Sequence, residues 1–123
     1  MALALIVEDD HINAFITQKF IGDHFESDIA PDGHTALQKV TQKNYDIILM
    51  DINLGNEELD GVEVLKQIRA MSGLESIPSI AVTAYALSND RERFLDQGFN
   101  QYLSKPINKD ELLREMHALI KAN

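Results

Sequence analysis

The sequence has no cysteine. That excludes a disulfide scaffold, a thiolate metal site and a cysteine nucleophile. Basic residues are scarce: 11 Lys and Arg stand against 20 Asp and Glu, for a net charge of −9. Phosphate backbones and anionic bilayers need a basic face, so neither nucleic acid nor membrane is expected as the main partner. Long hydrophobic runs are missing as well, and the longest falls far short of a membrane span. No basic stretch precedes the first strand pattern at Leu3. No signal peptide is therefore expected, and a soluble cytoplasmic domain is the default. No glycine occurs before Gly22, which removes the glycine-rich loop that a P-loop or dinucleotide site places after its first strand.

What remains is a chain of 123 residues, 45% apolar and 25% charged. That is the size and composition of one globular domain, so residues 1–123 are expected to form a single unit. Five short apolar runs alternate with five helical patterns. The runs are Leu3 to Val7, Ser27 to Ala30, Asp46 to Ile52, Pro78 to Val82 and Tyr102 to Ser104. The first helix is expected over His11 to Phe25, with Ile12, Phe15 and Ile16 on one face and Gly22 as a terminator. Asp60 with Glu63, and Asn108 with Glu111, have the spacing of helix caps. The fourth helix, Ser88 to Gln97, is polar apart from Phe94 and Leu95.

Strand–helix alternation implies right-handed crossovers and a parallel sheet covered on both faces. The first, third and fourth runs are continuously apolar, as buried central strands are, whereas the second and fifth carry polar residues, as edges do. The expected fold class is therefore α/β, a doubly wound five-stranded parallel sheet of order 2-1-3-4-5, flavodoxin-like.

Ligands of such sheets bind beyond the carboxyl ends of the strands, at the switch point between strands one and three. Those ends read Glu8-Asp9-Asp10, Asp51, Thr83-Ala84 and Lys105-Pro106. Crowded carboxylates call for a cation, and hard oxygen ligands suit Mg²⁺. Lys105 and Thr83 suit phosphate oxygens. A carboxylate among them can attack phosphorus, and Asp51, ending the central strand, is the best placed. Taken singly, each residue has a plainer use: a solvated acidic loop, a turn threonine, a surface lysine, a half-buried edge tyrosine at Tyr102. Their joint placement at strand ends is what points to a site.

These pieces resemble the receiver domain of two-component response regulators. The resemblance runs through Val7-Glu8-Asp9-Asp10, Leu49-Met50-Asp51, Asp60-Gly61, Val82-Thr83-Ala84 and Lys105-Pro106, and covers essentially the whole chain. It implies a phosphorelay signalling domain that is not a turnover enzyme but assists its own phosphorylation and dephosphorylation. Asp51 would be the phosphoacceptor. Mg²⁺ would be held by Glu8, Asp9, Asp51 and the backbone carbonyl of Asn53. Thr83, the Ala84 amide and Lys105 would bind phosphate. Thr83 and Tyr102 would be the switch pair, and the bond before Pro106 would be cis. The implied partners are a histidine kinase or histidine phosphotransfer domain and a downstream protein, with the chain monomeric or a weak dimer. The segment Leu54 to Leu59 makes the loop before Asp60-Gly61 about two residues longer than the family's usual form.

Two other classes fit less well. A haloacid-dehalogenase-like phosphatase places Asp-x-Asp after its first strand, whereas here the acids are adjacent and followed by His11-Ile12-Asn13. A receiver used only for protein contacts would lack the acceptor or the lysine, and both are present. A free-standing regulator and a receiver cut from a longer protein are both compatible with the sequence.

Overall fold

Strand and helix alternate five times. The order is β1 (Leu3–Val7), α1 (His11–Ile21), β2 (Glu26–Ala30), α2 (Gly33–Gln42), β3 (Ile47–Asp51), α3 (Gly61–Arg69), β4 (Ser79–Thr83), α4 (Asp90–Asp96), β5 (Gln101–Ser104) and α5 (Lys109–Ala122). The computed structural model describes residues 1–52, 60–84 and 90–122. The five strands form one parallel sheet of order β2-β1-β3-β4-β5.

Strand composition explains the order. Every residue of β3 and β4 is buried, as is β1 beyond Leu3, so these strands need cover on both faces. β2 is partly exposed up to Ala30, and only Leu103 of β5 is buried, so both lie at edges. Alternate strand residues feed two cores. Leu5, Val7, Ile48 and Met50 pack with Val64, Leu65 and Ile68 of α3, Val40 of α2 and Phe94 of α4. Ile6, Ile47, Leu49, Ile80 and Val82 pack with Ile21 of α1 and with Leu112 and Met116 of α5. Each large side chain so buried contributes about 1.5–3 kcal/mol of transfer free energy.

Four helices start on a side-chain cap. Asp10, Asp32, Asp60 and Asn108 accept from the backbone N–H groups of Asn13, Thr35, Glu63 and Glu111 at 2.9, 2.7, 2.9 and 2.9 Å. Such a cap is worth about 1 kcal/mol. The expected end of α1 needs correction. The helix stops at Ile21, Gly22 follows as its cap, and the chain turns so that the Phe25 N–H bonds the Ile21 carbonyl at 2.8 Å. Phe25 is buried beyond the helix, with its ring 5.0 Å from that of His117. The structure also fixes the orientation of α1. Ile12, Phe15 and Ile16 do share a face, but it is the outer one, 71%, 56% and 42% exposed. The helix buries Ala14, Thr17 and Ile21 instead, and the small Ala14 and Thr17 let it approach the sheet.

On the β2 edge, the Tyr45 hydroxyl and Lys43 Nζ both donate to Asp28 Oδ2, at 2.7 and 2.9 Å. The Tyr45 hydrogen bond, then that of Lys43, holds the Asp28 carboxyl below its ordinary 3.8. Burial, reinforced by Asp28, pushes the Tyr45 phenol well above 10.0. Tyr45→Phe is expected to lower unfolding free energy by about 1.5–3 kcal/mol, the worth of a hydrogen bond to a charged group. The Asp28 contribution is present above pH 3.8 and lost as pH falls through its depressed value. The Tyr45 contribution is present below pH 10.0 and lost as pH rises through its raised value. Urea unfolding of wild type and variant should therefore differ most between those limits. A difference that persists undiminished in acid would disprove the linkage.

Candidate functional site

The carboxyl ends of β1, β3, β4 and β5 meet on one rim. Glu8 continues β1 by donating its N–H to the Ala30 carbonyl at 3.0 Å. Asp51 is the last residue of β3 and Thr83 the last of β4. Lys105 follows β5, and its N–H bonds the Thr83 carbonyl at 2.8 Å. The Lys105–Pro106 peptide is cis. Glu8 and Asp51 are each 6% exposed and Thr83 is 3% exposed, whereas Asp9 and Ala84 are open to solvent. One carboxylate oxygen from each of Glu8, Asp9 and Asp51 lies within 4.8 Å of the others.

The third acid of the triplet has a different task. Asp10 turns its carboxylate to the N-terminus of α1 and gives its own N–H to Glu8 Oε2 at 3.3 Å. The helix cap thus separates Asp10 from the cluster formed by its two neighbours.

Lys105 reaches across the rim. Its Nζ is 2.8 Å from Glu8 Oε1 and 3.6 Å from Asp51 Oδ2. Burial works to raise the Glu8 carboxyl. Hydrogen bonds accepted from Asp51 and from Lys105, with the lysine's charge and the Asp10 N–H, outweigh burial and hold Glu8 below 4.5. For Lys105, burial works to lower the ammonium, and the paired carboxylates outweigh it, leaving the group above 10.5. The rim thus sets the Lys105 ammonium against the Glu8 and Asp51 carboxyl groups.

Gly61 is a residue whose role the sequence pattern does not show. A side chain there would place its Cβ 2.5 Å from the Asp51 carbonyl oxygen and 2.9 Å from Met50 Cγ. The Gly61 N–H bonds the Ile52 carbonyl at 3.1 Å. Glycine therefore lets α3 begin directly against the strand end that carries Asp51, which accounts for the Asp60-Gly61 pair physically. Thr17, buried on α1, is another such residue: it lines the small space behind Glu8 and Asp51. Its polar character in an apolar helix face was the available signal.

Tyr102 pairs in register with Ala81, and Ser104 with Thr83, so Tyr102 lies on the Thr83 face of the sheet. Its ring stacks on Phe94 of α4 with centroids 5.5 Å apart and planes at 24°. Asn53, the Tyr85–Leu87 segment and the long loop from Leu54 to Leu59 lie outside the described residues. Beside the carboxylates, Ile16 and Phe20 of α1 line a cleft of about 190 Å³ together with Pro106, Ile107, Glu8 and Lys105. The exposed Phe15 and Ile12 continue its α1 side outward.

A doubly wound parallel sheet with an acidic cluster, a hydroxyl and an ammonium at its switch point is the arrangement of a receiver module. Residues 4–117 match the family model of the response regulator receiver domain, and the chain belongs to that family, the receiver domains of two-component systems. It is 34% identical over 122 residues to response regulator ArlR of Staphylococcus saprophyticus, covering 98% of this chain and 53% of that protein. It is 30% identical over 109 residues to the signal transduction histidine-protein kinase BarA of Escherichia coli, covering 88% of this chain and 12% of the kinase. The chain thus spans about half, or less, of the length of these relatives. Among solved structures, the receiver domain of sensor histidine kinase PA1611 from Pseudomonas aeruginosa superposes with a TM-score of 0.86 at 35% identity, with 98% of each chain covered. That crystal structure holds a magnesium ion in its active-site cleft. No helix among the described residues is long and apolar enough to cross a membrane.

Proposed function

We propose that this chain, acting over residues 1–123 as one cytoplasmic receiver domain, takes a phosphoryl group on Asp51 from a phosphohistidine and passes the event on as a change of protein-interaction surface. The observation that supports this best is the convergence of Glu8, Asp9 and Asp51 with Lys105 around a strand-end carboxylate. An Asp51 oxygen attacks phosphorus, the phosphorus–nitrogen bond to the donor histidine breaks, and an aspartyl phosphate forms. Glu8, Asp9 and Asp51 have the hard oxygen donors that Mg²⁺ takes, and the Asn53 carbonyl would complete the set. When bound there, Mg²⁺ offsets negative charge on the transferring phosphoryl oxygens.

Lys105 swings from Glu8 to those oxygens as a point charge, while the Thr83 hydroxyl and the Ala84 N–H donate to them. Tyr102, on the Thr83 face and stacked on α4, carries the resulting shift toward α4, β5 and α5. Downstream partners would dock on that face, at exposed groups such as Arg91 and Arg93. The kinase or histidine phosphotransfer domain would instead cover the outward apolar side of α1, which borders the cleft leading to Glu8 and Lys105. Each chain accepts one group and loses it by hydrolysis, so it is not a turnover enzyme.

Intact mass after incubation with acetyl phosphate tests this reading. One phosphoryl group per chain is expected with Mg²⁺, and none with a chelator or in Asp9→Ala. Uptake at the full rate in chelator would remove the metal from the reaction. Steady hydrolysis of an added phosphomonoester would favour a phosphatase.

A further inference from the structure

Arg69, the last residue of α3, makes five hydrogen bonds, all to neutral acceptors. Its Nε and Nη2 donate to the Gly98 carbonyl at 3.1 and 2.7 Å. Nη2 also reaches Ser79 Oγ at 2.9 Å and Asn100 Oδ1 at 3.2 Å, and Nη1 reaches the Glu75 carbonyl at 3.1 Å. Burial pulls the guanidinium below its ordinary 12.5, and a desolvated charge with no carboxylate partner among the described residues is held only where its geometry is well satisfied. The acceptors come from three separate segments: the α3–β4 connection, the first residue of β4, and the joint between α4 and β5.

That joint is locked in other ways. Gly98 has φ +105°, a backbone state that favours glycine. The Asn100 N–H bonds the Ser79 carbonyl at 2.9 Å, and Asn100 Oδ1 accepts the Ser79 N–H at 2.9 Å. The fork therefore grips β4 and β5 at the ends away from Thr83 and Lys105, and grips α4 at its C-terminal end.

We propose that Arg69 is the fulcrum of α4, pinning the helix at Gly98 so that a displacement begun at the site rim reaches it as a swing about that end rather than as a slide. This rests on the reading of Asp51 as the acceptor. It makes Arg69 a positioning residue, remote from the reacting atoms, that shapes the output movement.

The test uses amide NMR on the full chain, with beryllofluoride and Mg²⁺ as the activating probe. In wild type, the amide shifts of Arg91 to Arg93 should change while those of Gly98 to Asn100 stay fixed. Arg69→Lys keeps the charge but loses the fork. In this variant the change should spread through Asn100. Hydrogen exchange at Gly98, Phe99 and Asn100 without the probe should rise about tenfold or more, as expected when charge-assisted bonds are lost. Asn100→Asp keeps the acceptor and adds charge, so exchange at the same amides should slow. Two results would overturn the fulcrum: Gly98 to Asn100 moving together with Arg91 to Arg93 in wild type, or Arg69→Lys exchanging and responding as wild type does. Silence of every amide to the probe in wild type would instead overturn the acceptor reading, and basal exchange in Arg69→Lys would still decide whether Arg69 pins the joint.

Discussion

Asp51→Asn is expected to abolish phosphoryl uptake, by at least about a thousandfold, the scale on which removal of a nucleophile acts. The amide keeps the side chain's shape and takes away its charge and nucleophilic oxygen. The fold should survive, because Asp51 is one of three clustered carboxylates and removing one charge relieves their mutual repulsion. Unfolding free energy without metal should stay level or rise. That combination separates loss of chemistry from loss of structure. Intact mass after acetyl phosphate and a urea titration measure the two halves. A variant that still gains phosphate at the wild-type rate would show that another group is the acceptor.

Lys105→Met should have the next largest effect, and it should appear twice. Methionine keeps much of the stem and removes the ammonium. Phosphoryl uptake should fall about a hundredfold, since the cation that moves onto the transferring group is lost. The metal-free protein should also weaken. Lys105 Nζ lies 2.8 Å from the buried Glu8, and stripping one member from a buried pair costs about 3 kcal/mol. The sign of the pH dependence follows from Glu8. With Lys105 present, Glu8 is held below 4.5, so its contribution is present above that pH and lost as pH falls through the depressed value. The stability gap between wild type and Lys105→Met should therefore be full at neutral pH and narrow in acid. A gap that stays constant through the acid range would mean that Lys105 acts by packing and not by charge.

Much of this architecture is legible from residues alone, for identifiable reasons. Buried parallel strands must be apolar on both faces, so Leu3 to Val7, Ile47 to Met50 and Ser79 to Val82 stand out as runs, and edges betray themselves by polar residues such as Asp28 and Gln101. The rim follows because a parallel sheet puts every strand's carboxyl end on one side. Helix α1 was legible in its period and not in its orientation. Ile12, Phe15 and Ile16 are the bulkier set, but Ala14, Thr17 and Ile21 face the sheet. Spacing says which residues share a face, and the closeness of the neighbouring layer decides which face is inside. The pairing of Lys105 with Glu8 depends on how a long side chain lies across the rim, which no local pattern encodes. The same holds for Arg69, whose partners are spread from Glu75 to Asn100.

The ion pair between Lys105 and Glu8 joins positions 97 residues apart. A loop of that length closes late, because its entropy is lost before the contact repays it. An N-terminal stretch emerging during synthesis holds Glu8, Asp9 and Asp51 well before Lys105 exists to face them. The acidic cluster is therefore without its internal cation until β5 has added to the sheet edge. Competence to receive a phosphoryl group should arrive abruptly, with the last strand, and a chain still being made should stay silent toward its donor.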